Sequence, residues 1–186
     1  MRVAICPGSY DPVTYGHINI IERSARMFDR VIAVVMVNIT KKTVFTLDCR
    51  MKMLRRATAH ISNVEVDGYD GLVTEYADIR NADVMVRGLR AVTDFEYEFQ
   101  MAMINKKLNP KLETVFINSD VHLIYLSSSV VREVACFGGH LSEFVPPAVE
   151  KRLREHFREQ KSSGLNFRIK MNGGNEKGVH GKSQFA

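Results

Sequence analysis

The chain has 186 residues, 45% of them hydrophobic and 25% charged, which is the make-up of one folded domain with a substantial core. No apolar run reaches the roughly 18 residues of a membrane span, and the start, Met1-Arg2 and a short apolar run, reads as a first strand and not as a secretory signal. The net charge of +5 does not mark a nucleic-acid binder, because residues 161–186 hold five cations against one acid and leave the rest at only +1. Cys6, Cys49 and Cys136 are far apart and odd in number, without CxxC or Cys/His ligand spacing. They are expected to be inert free thiols in a reducing cytoplasm.

Taken in order, apolar β-branched runs fall at Val3–Ile5, Val31–Val37, Val64–Val66, Val84–Val86 and Thr114–Ile117. Helical spacing fills the intervals at 17–28, 47–60, 71–80, 93–108, 129–137 and 146–159. That alternation predicts an α/β fold, a doubly wound, mostly parallel five-stranded sheet covered on both faces. Thr46 is a predicted N-cap, and Thr93-Asp94-Phe95-Glu96 has capping-box spacing. Gly138-Gly139 closes one helix, and Pro146-Pro147 opens the last, whose stripe is Val149, Leu153 and Phe157. Segment 93–108 carries two apolar rows, one with Phe95, Phe99, Ala102 and Met103, the other with Tyr97, Met101, Ile104 and Leu108. Two rows predict burial against a second subunit as well as the sheet. After Gln160 the periodicity stops, so the chain divides into a domain at 1–160 and a flexible basic tail at 161–186.

Four motifs gather where strands end. The stretch from Cys6 to His17 joins the first strand to the first helix and contains two glycines, two prolines and Thr14-Tyr15-Gly16-His17. A helix N-terminus attracts anions, and an imidazole capping the turn there can donate to a phosphate. Lys41-Lys42 follows the second strand, Arg87-Gly88-Leu89-Arg90 the fourth, and Ser127-Ser128-Ser129 sits at a strand-to-helix junction. In parallel α/β sheets the carboxyl ends of strands share one crevice, so these cations and hydroxyls converge on one phosphate site. Neither a GxxxxGK[ST] loop nor a GxGxxG fingerprint is present, and the six histidines have no paired ligand spacing.

In order and spacing, Pro7-Gly8-Ser9-Tyr10-Asp11-Pro12, Thr14-Tyr15-Gly16-His17, Lys41-Lys42, Phe45-Thr46-Leu47, Val86-Arg87-Gly88-Leu89-Arg90, Asp94-Phe95-Glu96-Tyr97-Glu98 and Ser127-Ser128-Ser129 resemble the bacterial phosphopantetheine adenylyltransferases over about residues 2–158. The resemblance implies a Rossmann-like nucleotidyltransferase fold. It also implies transfer of the adenylyl group of ATP, with magnesium, to 4′-phosphopantetheine, giving dephospho-coenzyme A and pyrophosphate. It makes His17 the group that stabilises the α-phosphate, and Ser9 and Lys41 the partners of the attacking phosphate. It places Arg87 on the phosphopantetheine phosphate and Val73 along the pantetheine arm. Ser9, Tyr10, His17, Gly88, Leu89, Arg90 and Glu98 would contact ATP, with Leu123, Ile124, Tyr125, Leu126, Ser127, Ser128 and Ser129 closing over it. It further implies a homohexamer in the cytoplasm, acting on small molecules and not on nucleic acid or membrane. Ser9 and Tyr10 stand where Thr and Phe are common in the family, and Leu123–Leu126 is more aliphatic than in many members.

Overall fold

Each of the five β-branched runs forms a strand, and each interval after it folds as helix or turn. The computed structural model describes residues 1–37 and 42–162. In chain order the elements are β1 (Val3–Gly8), α1 (Tyr15–Met27), β2 (Arg30–Met36), α2 (Leu47–Thr58), β3 (Val64–Tyr69), α3 (Val73–Ile79), β4 (Val84–Leu89), α4 (Val92–Leu108), β5 (Glu113–Asn118), a 3₁₀ turn at Val121–Leu123, α5 (Ser128–Cys136) and α6 (Pro147–Ser162). The strands form one parallel sheet in the order β3-β2-β1-β4-β5.

A parallel sheet is covered on both faces, so its strands can be apolar at consecutive positions. Val3–Cys6 and Val31–Val35 are accordingly buried throughout. Ala4, Cys6, Val31, Ala33 and Val35 face Ile18 and Ile21 of α1, Leu54 of α2, Val131 of α5 and Leu153 of α6. Val3, Ile5, Ile32, Val34 and Met85 face the other way, onto Tyr76 and Ala77 of α3. The predicted α6 stripe of Val149, Leu153 and Phe157 is buried in the first of these layers.

The direction of winding reverses between β1 and β4. β1 pairs with β2 along its whole length, from Val3 opposite Arg30 to Gly8 opposite Val35. Against β4 it pairs only at Ala4–Val84 and Ile5–Met85, although β4 runs on to Leu89 in register with β5. Beyond Ile5 and Met85 the sheet is therefore split, and the split opens at the carboxyl ends, where open α/β sheets bind ligands.

Several local signals act as expected. Thr46 caps α2 by accepting from the Cys49 N–H at 3.3 Å. Gly138 turns the chain after α5 with φ of 81°. α4 starts at Val92 with Ala91 in the cap position, so the helix begins before Thr93, the cap expected from the sequence. The last helix runs to Ser162, two residues into the expected tail, and residues 163–186 lie outside those described. On α4, Phe95, Tyr97, Phe99, Met103, Ile104 and Leu108 are exposed, so a single copy leaves both apolar rows largely uncovered.

Leu153 is fully buried where α6 meets the core. Leu153→Ala is expected to lower stability by about 2–5 kcal/mol in a urea unfolding titration, with an unchanged fold by circular dichroism.

Candidate active site

The loop from β1 to α1 is fastened by side chains before it can bind anything. Tyr10 takes a positive φ of 46° and turns its ring inward, where its hydroxyl donates to the Cys6 carbonyl at 2.7 Å. Burial pushes the phenol pKa well above its ordinary value, so it stays a donor. The Asp11 carboxylate, almost fully buried, accepts from the Val44 and Phe45 N–H groups at 2.8 and 2.9 Å. Arg132 of α5 donates to the Asp11 carbonyl and lies 3.5 Å from its carboxylate. Ser128 donates to the Pro12 carbonyl at 2.8 Å. Two other segments, Val44–Phe45 and α5, thus clasp the loop, and the Asp11 and Pro12 carbonyls are satisfied as burial requires.

Thr14, not His17, is the N-cap of α1. His17 occupies the third helical position and completes a capping box in which imidazole replaces the usual Glu or Gln side chain. The Thr14 N–H donates to Nδ1 at 3.0 Å, the Thr14 hydroxyl lies 2.9 Å from the same nitrogen, and the His17 N–H donates to that hydroxyl at 3.4 Å. A backbone N–H can only donate, so Nδ1 is an acceptor and the neutral ring carries its proton on Nε2. Burial, with Arg90 and then Arg87 adding repulsion, lowers the His17 pKa from 6.5 to about 4. Near neutrality His17 is an uncharged Nε2–H donor of fixed orientation.

Two cavities open from the split in the sheet. The larger, about 470 Å³, is lined by Ser9, Tyr10, His17, Arg87, Gly88, Arg90, Leu126, Ser127, Ser128 and Ser129 among the residues expected from sequence. Lys42 and Arg132 line it as well. The smaller, about 210 Å³, shares Pro7, Gly8, Ser9 and Arg87 with the first and extends past Met36, Val73, Met85, Glu98, Met101 and Asn105. Ser9 and Arg87 therefore stand on the border. Leu89, Leu123, Ile124 and Tyr125 line neither cavity; the last two are exposed beside the 3₁₀ turn. Lys41 lies outside the described residues.

The arginines here are held by partners. Arg87 makes a two-pronged pair with Glu98, Nε to Oε2 at 2.7 Å and Nη2 to Oε1 at 2.6 Å, and donates through Nη1 to the Pro7 carbonyl at 2.5 Å. Glu98 thus faces the smaller cavity, locked to Arg87. Arg90 pairs with Asp94 at 2.9 Å and reaches the Leu126 carbonyl at 2.9 Å, joining the β4 end to the loop before α5. Ser127 caps α5 through the Val130 N–H at 3.2 Å. Cys6 lines the larger cavity, but burial pushes its thiol up to about 11, which keeps it protonated and unreactive.

Sequence reasoning passed over Asp11, Arg132 and Asn105 as individual site residues. Asn105 is 6% exposed, and its amide nitrogen meets only the Met85 sulfur at 3.9 Å. Among the described residues no donor reaches its amide oxygen on the wall of the smaller cavity. A polar residue inside an apolar helix was the available signal.

This arrangement defines an α/β nucleotidyltransferase: a crevice at the winding reversal, a TxGH turn, and cations with helix N-termini around the larger cavity. The family described as cytidylyltransferase-like matches residues 5–134. A phosphopantetheine adenylyltransferase of Caldanaerobacter subterraneus subsp. tengcongensis is 55% identical over 159 residues, covering 86% of this chain and 99% of that protein. One from Heliobacterium modesticaldum is 50% identical over 157 residues, covering 84% and 94% respectively. The chain belongs to the phosphopantetheine adenylyltransferase family. Among solved structures, Plasmodium falciparum nicotinic acid mononucleotide adenylyltransferase, complexed with NaAD, shares the fold with a TM-score of 0.59 at 12% identity, covering 89% of this chain and 98% of its own.

In the ligand-free protein, the His17 ring is expected to titrate by NMR near pH 4 and not near its ordinary 6.5. Since the folded state disfavours the charged ring, this group's contribution to stability is complete above pH 6.5 and declines as pH falls toward 4. A midpoint near 6.5 would mean that the ring is hydrated and not held as described.

Proposed function

We infer that the protein transfers the adenylyl group of ATP to 4′-phosphopantetheine, giving dephospho-coenzyme A and pyrophosphate in coenzyme A synthesis. The observation that carries this reading is the meeting of two cavities at Ser9 and Arg87. One is rich in phosphate-binding groups, the other is lined by Met36, Met85 and Met101. ATP suits the first. The second suits a thin, flexible, mostly apolar arm, since methionine adapts to such shapes. The acceptor's phosphate would then lie at the border, beside the α-phosphate it attacks.

The reaction is a direct in-line displacement: a phosphate oxygen of the acceptor bonds to the α-phosphorus as the bond to the pyrophosphate oxygen breaks. No covalent intermediate is required. The protein contributes position and charge stabilisation. His17 gives its Nε2–H to an α-phosphate oxygen, and as a neutral donor it does not exchange its proton. Ser9 holds the attacking phosphate where the cavities meet. Arg87 uses N–H groups left over from Glu98 and Pro7 on the same phosphate, and Lys41 steadies it. Gly88, Arg90, Leu126 and the serines 127–129 take the nucleotide and its departing pyrophosphate. Val73 and Glu98 bound the arm, and Asn105 offers its amide oxygen to an N–H of the arm.

Magnesium would arrive on the phosphates of ATP and neutralise part of their charge. Among the described residues no cluster of three His, Cys, Asp or Glu could hold an ion. Asp11, the one carboxylate among the described residues of the larger cavity, is already occupied by two N–H groups and Arg132. The exposed apolar rows of α4 support a homo-oligomer, for which a hexamer is our reading. No described helix is long and apolar enough to cross a membrane, and we place the enzyme in the cytoplasm.

The direct test mixes protein, ATP, magnesium and 4′-phosphopantetheine and follows pyrophosphate and dephospho-coenzyme A together. Equal release of both is expected, and failure with this acceptor but turnover with nicotinamide mononucleotide would reassign the substrate. His17→Ala is expected to lower kcat by roughly 10²–10³, as for loss of a transition-state donor. Asn105→Ala should raise KM for 4′-phosphopantetheine by about 3–10-fold, the worth of one hydrogen bond, with KM for ATP little changed.

A further inference from the structure

Arg50 lies on α2, lines neither cavity, and is 2% exposed. Its Nη1 donates to the Ser9 carbonyl at 2.6 Å and to the Met36 carbonyl at 3.2 Å. Its Nε is buried and has no partner. Among the described residues no carboxylate forms an ion pair with it. Burial pulls its pKa below the ordinary arginine value and Asp11 acts in the opposite direction, yet an arginine remains charged. The Asp11 carboxylate itself is turned to Val44, Phe45 and Arg132.

A buried cation that no carboxylate pairs with directly is an expensive way to staple two carbonyls together. An amide side chain could donate to both without placing an unpaired charge in the interior. The two carbonyls identify what the charge is near. Ser9 belongs to the border between the cavities, and Met36 ends β2, lines the smaller cavity and leads into the segment bearing Lys41.

We propose that Arg50 is a positioning residue for adenylyl transfer, fixing Ser9 relative to the end of β2 and setting beneath the acceptor's phosphate a positive charge that no carboxylate pairs with directly. This rests on the assignment of Ser9 to that phosphate. Arg50 touches no substrate. It acts through the loop that does, and it holds together two segments that would otherwise move independently where two phosphates must be brought into line.

The experiment is a double-mutant cycle on the full-length protein with 4′-phosphopantetheine and ATP, using Ser9→Ala, Arg50→Lys and the pair. Arg50→Lys keeps a charge and a donor but is shorter, which favours folding while loosening the bridge. Melting temperature and active-enzyme concentration are measured for each variant. Ser9→Ala alone is expected to lower kcat/KM for 4′-phosphopantetheine about tenfold. Arg50→Lys alone is expected to lower kcat at least fivefold per folded enzyme, with KM for ATP within twofold. In the Arg50→Lys background, Ser9→Ala should cost less than about threefold, because the hydroxyl is no longer in place. Additive effects would overturn the proposal while leaving Ser9 on the phosphate. A Ser9→Ala enzyme with normal kinetics would overturn both assignments. An Arg50→Lys enzyme that is less heat-stable but has normal kcat would show a purely structural arginine, and it too would overturn the proposal.

Discussion

Everything in the site depends on the parting of β1 from β4. Two hydrogen-bonded parallel strands leave no room between them for a ligand. Here the ladder stops at Ile5 and Met85 while both strands continue, β1 supported by β2 and β4 by β5. The freed stretches Cys6–Gly8 and Val86–Gly88 become the two walls of the crevice. Backbone groups that the ladder no longer uses must find other partners, and part of the polar network answers that need. Tyr10 takes the Cys6 carbonyl and Arg87 the Pro7 carbonyl. Residues that look catalytic by type are thus also what holds the split open.

The electrostatics follow the same economy. Arg87 is matched by Glu98 and Arg90 by Asp94, so neither adds a full free charge to the cavity. What each adds is direction, since a guanidinium clamped on one edge presents its other N–H groups at a fixed angle. The repulsion that remains falls on His17. Burial keeps the imidazole neutral and that repulsion adds to the effect, while the capping box decides which nitrogen bears the proton. A protonated histidine would bind ATP more tightly in ground state and transition state alike. In the adenylyl transfer we propose, a neutral, oriented donor would give less to the ground state and keep its effect for charge that develops during transfer.

The sequence was most legible where one residue type decides a local outcome. β-branched runs became the strands, Thr46 and Pro147 mark helix starts, and cations placed after strands came together because parallel topology leaves them no other end. It was least legible where contact between distant segments decides. Asp11 meets Val44, Phe45 and Arg132 across separations that no local pattern encodes. Thr14-Tyr15-Gly16-His17 pointed to His17 as the cap, because the commoner capping box has an acid or amide at the third position, and only the geometry reveals imidazole in that role. Thr93 had the spacing of a cap, yet the helix begins before it. Leu123–Tyr125 stood close to the serines in sequence, but the 3₁₀ turn carries Ile124 and Tyr125 outward.

The border between the cavities shows why so many of these long-range contacts end on backbone carbonyls. Ser9, Pro7, Met36 and Leu126 are each held by an arginine through their main-chain oxygen. A side chain gripped by its tip has fewer groups left for substrate, whereas a residue gripped by its carbonyl keeps its whole side chain available. Arginine suits the task, because one planar group spans two attachment points and keeps its charge when buried. The result is a site whose substrate-facing groups lie on loops but whose loops are bound to helices and strands behind them. In-line transfer between two phosphates needs that kind of support, since neither reactant is held covalently and an error of about 1 Å in their approach can cost 10²-fold in rate.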